Sequence, residues 1–187
     1  MAKRVIVAGL LGGVVMIVWT FVVNGILGFG ARIDMKPIPT ERQVYESLKE
    51  HIAEPGRYIC NPELTSEGRF PDGEPVFSIL YGGMGHESAG GLMIVGLVVF
   101  LLAPMIGAWM LSQTSERVLS SFCRKVIFFV GIGLLFAVFG DLTNYGIGNY
   151  PLGDALALAA NDIVVWTLVG VVVAWRITPR GSQTAEE

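Results

Sequence analysis

The sequence predicts an all-α membrane protein: a four-helix transmembrane bundle with both termini on the cytoplasmic side. A small α+β module, one helix plus a β-hairpin, is expected outside the membrane between the first and second spans. Three observations lead there. Of the 187 residues, 52% are hydrophobic and only 16% are charged, whereas soluble domains carry about 25% charged residues. The apolar residues collect in four blocks, with the charges gathered in the gaps between them. Lys and Arg are also unequally divided between the two sets of connecting segments.

The first block, Val5 to Ala31, runs 27 residues without a charge. About 20 helical residues at about 1.5 Å each cross roughly 30 Å of hydrocarbon, so a span over 5–28 is expected. A cleaved signal peptide has an apolar core of only about 7 to 15 residues. Gly28-Phe29-Gly30 is also a poor small-x-small cleavage site, so the segment is expected to stay as an anchor. The second block, Ser88 to Ser115, holds 28 uncharged residues and a span over 89–112. Pro104 lies inside it, frees the carbonyl near Phe100 and predicts a kink that serves packing rather than gating. The third span, 126–146, is uncharged from Val126 to Gly140 and then meets Asp141. The fourth, 154–175, is interrupted only by Asn161 and Asp162. A short Gly/Pro-rich turn over 147–153 makes the last two spans an antiparallel hairpin.

Orientation follows from the density of positive charge. Met1 to Arg4, the 113–125 loop and the 176–187 tail carry Lys3, Arg4, Arg117, Arg124, Lys125, Arg176 and Arg180. The 32–87 segment carries six basic residues diluted by ten acids over 56 positions. The denser set is predicted to be cytoplasmic, in a bacterial inner membrane, with Trp109 and Trp175 at the inner interface and Tyr145 and Tyr150 at the outer one.

The 32–87 segment reads as a folded module. Thr40-Glu41-Arg42-Gln43 is a capping box, Val44, Leu48 and Ile52 recur at helical spacing, and Glu54-Pro55-Gly56 ends the helix. Arg57 to Cys60 and Pro75 to Tyr81 read as strands, joined by a Ser/Gly/Pro/Asp-rich loop. So small a unit cannot bury enough apolar surface to stand alone, so it is expected to pack on the helix ends or on a partner.

The costly residues are the polar ones inside the spans. An aspartate near the bilayer centre costs about 2.5–3.5 kcal/mol even on a lenient scale. Asp141 and Asp162 fall in the outer halves of the third and fourth spans, with Asn161, Asn144, Asn24 and Thr20 at comparable depth. Gly133, Ala137 and Asp141 share one helical face, as do Ala155, Ala159 and Asp162. Small residues mark close helix approach, and Gly9 with Gly13 give the first span such a face. One buried polar cluster beneath the module is therefore expected. Two readings stay open: protonated aspartates that fix helix register, or a site that handles protons or cations.

Much familiar chemistry has no residues to carry it. Both histidines, His51 and His86, lie in the module, so no span supplies axial ligands for haem. Their spacing with Cys60 and Met84 matches no recognised metal site, which leaves His51 and His86 as weak candidates and no cofactor expected. Cys60 and Cys123 are predicted to lie on opposite sides of the membrane and cannot pair within one chain. There is no phosphate loop, nucleophile elbow or His-Glu-x-x-His. No basic groove with interleaved aromatics points to nucleic acid.

Several features together resemble small bacterial inner-membrane proteins of uncharacterised four-helix families. These are the Gly-rich first span, the outer helix ending in Glu-Pro-Gly, Ser-Ile-Leu-Tyr, Asp141, the Gly/Tyr/Pro turn and Asn161-Asp162. The resemblance implies topology and no mechanism. Claudins share the plan with a large first outer loop, but that loop needs a Trp signature and a cysteine pair, and this one has no Trp and only Cys60. The function expected is that of a non-enzymatic accessory or scaffolding subunit, partnered by the bilayer and by another membrane protein or further copies of itself. The alternatives are a small oligomeric transporter or proton-coupled channel using Asp141 and Asp162, and an outer-face metal or ligand binder.

Overall fold

A computed structural model describes residues 2–34, 36–83, 89–148 and 150–179. It is mostly helical with one two-stranded sheet, and four of its helices are long and apolar enough to cross a membrane. The first, α1 (Ala2–Phe21), continues through a π-helical turn at Val22–Ile26. Gly28, at φ +65°, then breaks the helix in the left-handed region that glycine enters at little cost. A second π-helical turn, Gly30–Asp34, leads into the module.

Within the module, α2 (Glu41–His51) starts where the capping box predicts, yet the Thr40 side chain makes no capping hydrogen bond. Thr40 sits at φ −109°, ψ 36°, outside the extended conformation in which a cap hydroxyl reaches over the first turn. Its carbonyl instead accepts from the amides of Gln43 at 3.0 Å and Val44 at 3.3 Å. Strands β1 (Gly56–Cys60) and β2 (Phe77–Tyr81) pair antiparallel, with Tyr58 opposite Ile79 and Cys60 opposite Phe77. Gly83, at φ +90°, turns the chain away from β2.

The second long helix, α3 (Ala89–Ser112), runs unbroken through Pro104. A short α4 (Glu116–Leu119) follows, then α5 (Phe122–Phe136), a π-helical turn at Ala137–Asp141 and α6 (Leu142–Gly146), continuous from 122 to 146. The last helix is α7 (Leu152–Arg176). The third long helix thus begins four residues earlier than the charge pattern suggests, and Lys125 is helical and only 7% exposed. The reason is a partner that sequence spacing does not reveal. Its Nζ donates to the carbonyls of Ala174 at 2.6 Å and Ile177 at 2.7 Å, where α7 leaves acceptors without helical donors.

Across the bundle, α1 packs between α3 and α7, and α7 packs between α1 and α5. The chain order 1-2-3-4 therefore becomes a spatial order of second, first, fourth and third. Helices α3 and α5 meet where the Phe129 ring lies against Gly107, a Cβ on which would come within 2.8 Å of the ring. Small residues set these distances. A Cβ on Gly9 would stand 2.5 Å from the Met105 Cα, and one on Gly13 would stand 2.9 Å from the Leu101 Cα and 3.0 Å from the Phe100 carbonyl oxygen. That oxygen is the one whose helical donor Pro104 removes, so a bare face of α1 covers it. Gly9, Gly13, Gly133, Ala137, Ala155 and Ala159 are all buried. An apolar core of Ala8, Met16, Leu111, Phe129, Trp166, Val169 and Val173 fills the rest. Trp166 stacks on Phe129 and Phe136, with centroids 6.2 and 5.5 Å apart.

Candidate functional site

Asp141 closes the π-helical turn Ala137–Asp141, which packs against α7. A π turn widens the helix by one residue and leaves the regular ladder, and such turns recur at functional sites. Gly133, two turns earlier, holds α5 so close that an added Cβ would stand 3.0 Å from the Ile163 Cα and 3.2 Å from the Asp162 carbonyl oxygen. The close approach brings the Asp141 and Asp162 carboxylates near enough to act on each other electrostatically. Both residues are half-buried, but the Asp141 Oδ2 atom is sealed from solvent and has no hydrogen-bond partner. A buried carboxylate oxygen without a donor is costly, and most buried polar atoms are paired.

Asn161, the residue next to Asp162, is held by a partner from the first helix. The Trp19 indole Nε1–H donates to Asn161 Oδ1 at 2.9 Å. Trp19 is absent from the residues singled out by sequence. An indole is mostly apolar with a single donor, so in an apolar helix its N–H needs an acceptor, and that need was the available signal.

The six polar positions expected in one cluster divide. Asp141 and Asp162 come together, and Asn161 joins the wall through Trp19. Thr20 is half-buried beside Trp19 in sequence. Asn24 is exposed and its Oδ1 lies against Gly30, in the chain that leaves α1. Asn144 is half-buried, and its backbone carbonyl accepts from the Tyr150 amide at 3.1 Å, closing the turn between α6 and α7. The Asn24 site is therefore a turn rather than part of the carboxylate pair.

The module is tied to this end of the bundle by polar contacts. Lys36 Nζ forms an ion pair with Asp154 Oδ2 at the start of α7. Arg57 on β1 donates from Nη2 to the Gly148 carbonyl at 3.3 Å and from Nε to Ser78 Oγ at 3.1 Å. The module's apolar residues are less well covered, since α2 buries none of its residues. On the hairpin, Tyr58 and Ile79 face one side and are half-buried, while Ile59 and Leu80 face the other and are 59% and 80% exposed. His51 is exposed, and His86 lies outside the described residues. Among the described residues no three His, Cys, Asp or Glu side chains gather as a metal site would require. Cys60 and Cys123 are free and exposed.

Comparison with family models, curated proteins and solved structures finds no match for this chain.

Proposed function

We propose that this chain is a non-enzymatic polytopic membrane subunit that docks a second membrane protein through its extramembrane module. The observation that supports the reading is an exposed apolar pair on one face of the β-hairpin. An antiparallel sheet with one wet face places apolar residues inward and polar residues outward. Here Ile59 and Leu80, diagonal neighbours on the face they share with Arg57 and Ser78, are both exposed. Together with an α2 that buries nothing and exposes Tyr45, they give a water-facing module an apolar surface suited to a partner.

The test is assembly state after gentle extraction from native membranes. The wild-type chain is expected to migrate as a complex of defined size. Ile59→Thr/Leu80→Asp should reduce it to the free chain without changing its unfolding transition, because neither side chain is buried in the chain alone. A wild-type chain that runs free, or a variant that assembles unchanged, overturns the proposal.

A second reading is favoured by one separate observation, the unpaired buried Oδ2 of Asp141 beside Asp162. Two carboxylates held together in an apolar bundle repel, and a bound proton or small cation relieves the repulsion. On this reading the pair is a proton- or cation-handling site. Wild-type protein in liposomes should then conduct, and Asp141→Asn/Asp162→Asn should stop flux while remaining folded. Flux that survives in the double variant, or none in the wild type, removes this reading.

A further inference from the structure

The end of the bundle opposite the module holds a groove of about 570 Å³ between the start of α1 and the end of α7. It is lined by Lys3, Arg4, Val7, Trp175, Arg176 and Thr178. Three cations thus meet at one place although they come from opposite ends of the chain, and no acidic side chain is among these six lining residues. Lys3 and Arg176 give the groove a positive potential, which favours an anionic ligand. Two of the three are also oriented. Arg4 Nη1 donates to Thr178 Oγ1 at 3.1 Å, across the groove from α1 to the chain beyond α7. The Arg176 guanidinium lies over the Trp175 ring, 5.0 Å from its centroid.

The chemistry of the walls narrows the class of anion. Val7 and Trp175, the latter 71% exposed, carry the apolar surface of α1 and α7 up to the edge of the basic groove. A ligand that suits both parts has a phosphate to accept from guanidinium and ammonium groups and an acyl chain to lie along the helices. Arg recognises phosphate oxygens through paired N–H donors, and basic pockets between membrane helices at the cytoplasmic face bind anionic headgroups. We propose that this groove binds the phosphate of an anionic phospholipid headgroup, with an acyl chain running along Val7 and Trp175.

The test uses the full chain in detergent micelles, with bound lipid counted by native mass spectrometry. Phosphatidylglycerol should be retained in preference to phosphatidylcholine, and inorganic phosphate, which lacks the acyl chain, should not displace it. Lys3→Gln/Arg176→Gln should weaken phosphatidylglycerol binding by roughly fivefold per cation removed. Arg4 is left in place because it also holds Thr178. Lys3→Arg/Arg176→Lys keeps the charge and should keep the preference, which decides the matter even if the glutamine variant does not fold. Equal retention of phosphatidylcholine, displacement by inorganic phosphate, or undiminished binding by a folded glutamine variant overturns the proposal.

Discussion

Trp19 on α1 donates its indole N–H to the side-chain oxygen of Asn161 on α7, 2.9 Å away, in the same stretch of α7 that carries Asp162. A polar bond between apolar helices has a register that dispersion contacts lack. It fixes how far α1 slides along α7, and so where the carboxylate pair stands relative to the first helix. Polar contacts of this kind are worth about 0.6 kcal/mol on average in a membrane bundle and up to about 1.7 kcal/mol. Trp19→Phe is expected to cost about that much in a denaturing-detergent titration. A double-mutant cycle with Asn161→Ala should show coupling of the same size, and zero coupling would remove the bond from the account.

Phe129 fills the notch left by Gly170, where an added Cβ would stand 2.5 Å from the Phe129 Cβ. Gly170→Ala is expected to destabilise by about 1–3 kcal/mol, the range for overpacking a tight core. Gly131→Ala, with nothing within 4 Å of its added Cβ, should be neutral or slightly stabilising through helix propensity. Similar unfolding midpoints for the two variants would contradict the packing described for α5 and α7.

Lys125 holds the end of α7 through two carbonyls, so its loss should act at a distance in sequence. Lys125→Met keeps the stem but leaves the Ala174 and Ile177 oxygens without their donor. A cost of about 1–3 kcal/mol is expected for leaving these buried acceptors unpaired. Hydrogen exchange should quicken in the last turn of α7 rather than in the first turn of α5, and the opposite pattern would count against the contact.

The Lys36–Asp154 pair joins the module to α7 with side chains 54% and 16% exposed. Exposed pairs contribute about 0.2–1 kcal/mol and are screened by salt. Lys36→Ala should therefore leave global unfolding almost unchanged while speeding proteolysis within the module. The difference between wild type and variant should shrink at high salt.

Much of the architecture was legible from residues alone, and the reasons differ by element. Uncharged stretches as long as Val5 to Ala31 read as long apolar helices because backbone polar groups in an apolar phase must be satisfied within the helix. Strands at Arg57–Cys60 and before Tyr81 read correctly because β-branched and aromatic residues were bounded by turn residues. Gly9, Gly13, Gly133, Ala137, Ala155 and Ala159 repeat at helical period in the sequence, and all six are buried. At Thr40 the structure departs from the capping box, since a sequence motif names the donors and acceptors but not the dihedral angles that bring them together.

The carboxylate pair was half legible. That Asp141 and Asp162 are costly follows from their residue types in apolar stretches. That they act on each other depends on Gly133 allowing α5 to approach α7, a distance no single helix encodes. By itself the sequence determined four apolar helices, a helix-and-hairpin module and the identity of the expensive polar groups, because these depend on local periodicity and on the cost of bare charge. Only the tertiary structure decided which helices are neighbours, that Trp19 meets Asn161, that Lys125 leaves the loop for the end of α7, and that Asp141 Oδ2 is left without a donor. Each of these rests on contacts between residues distant in the chain, set by which side chains are small enough to let two backbones meet.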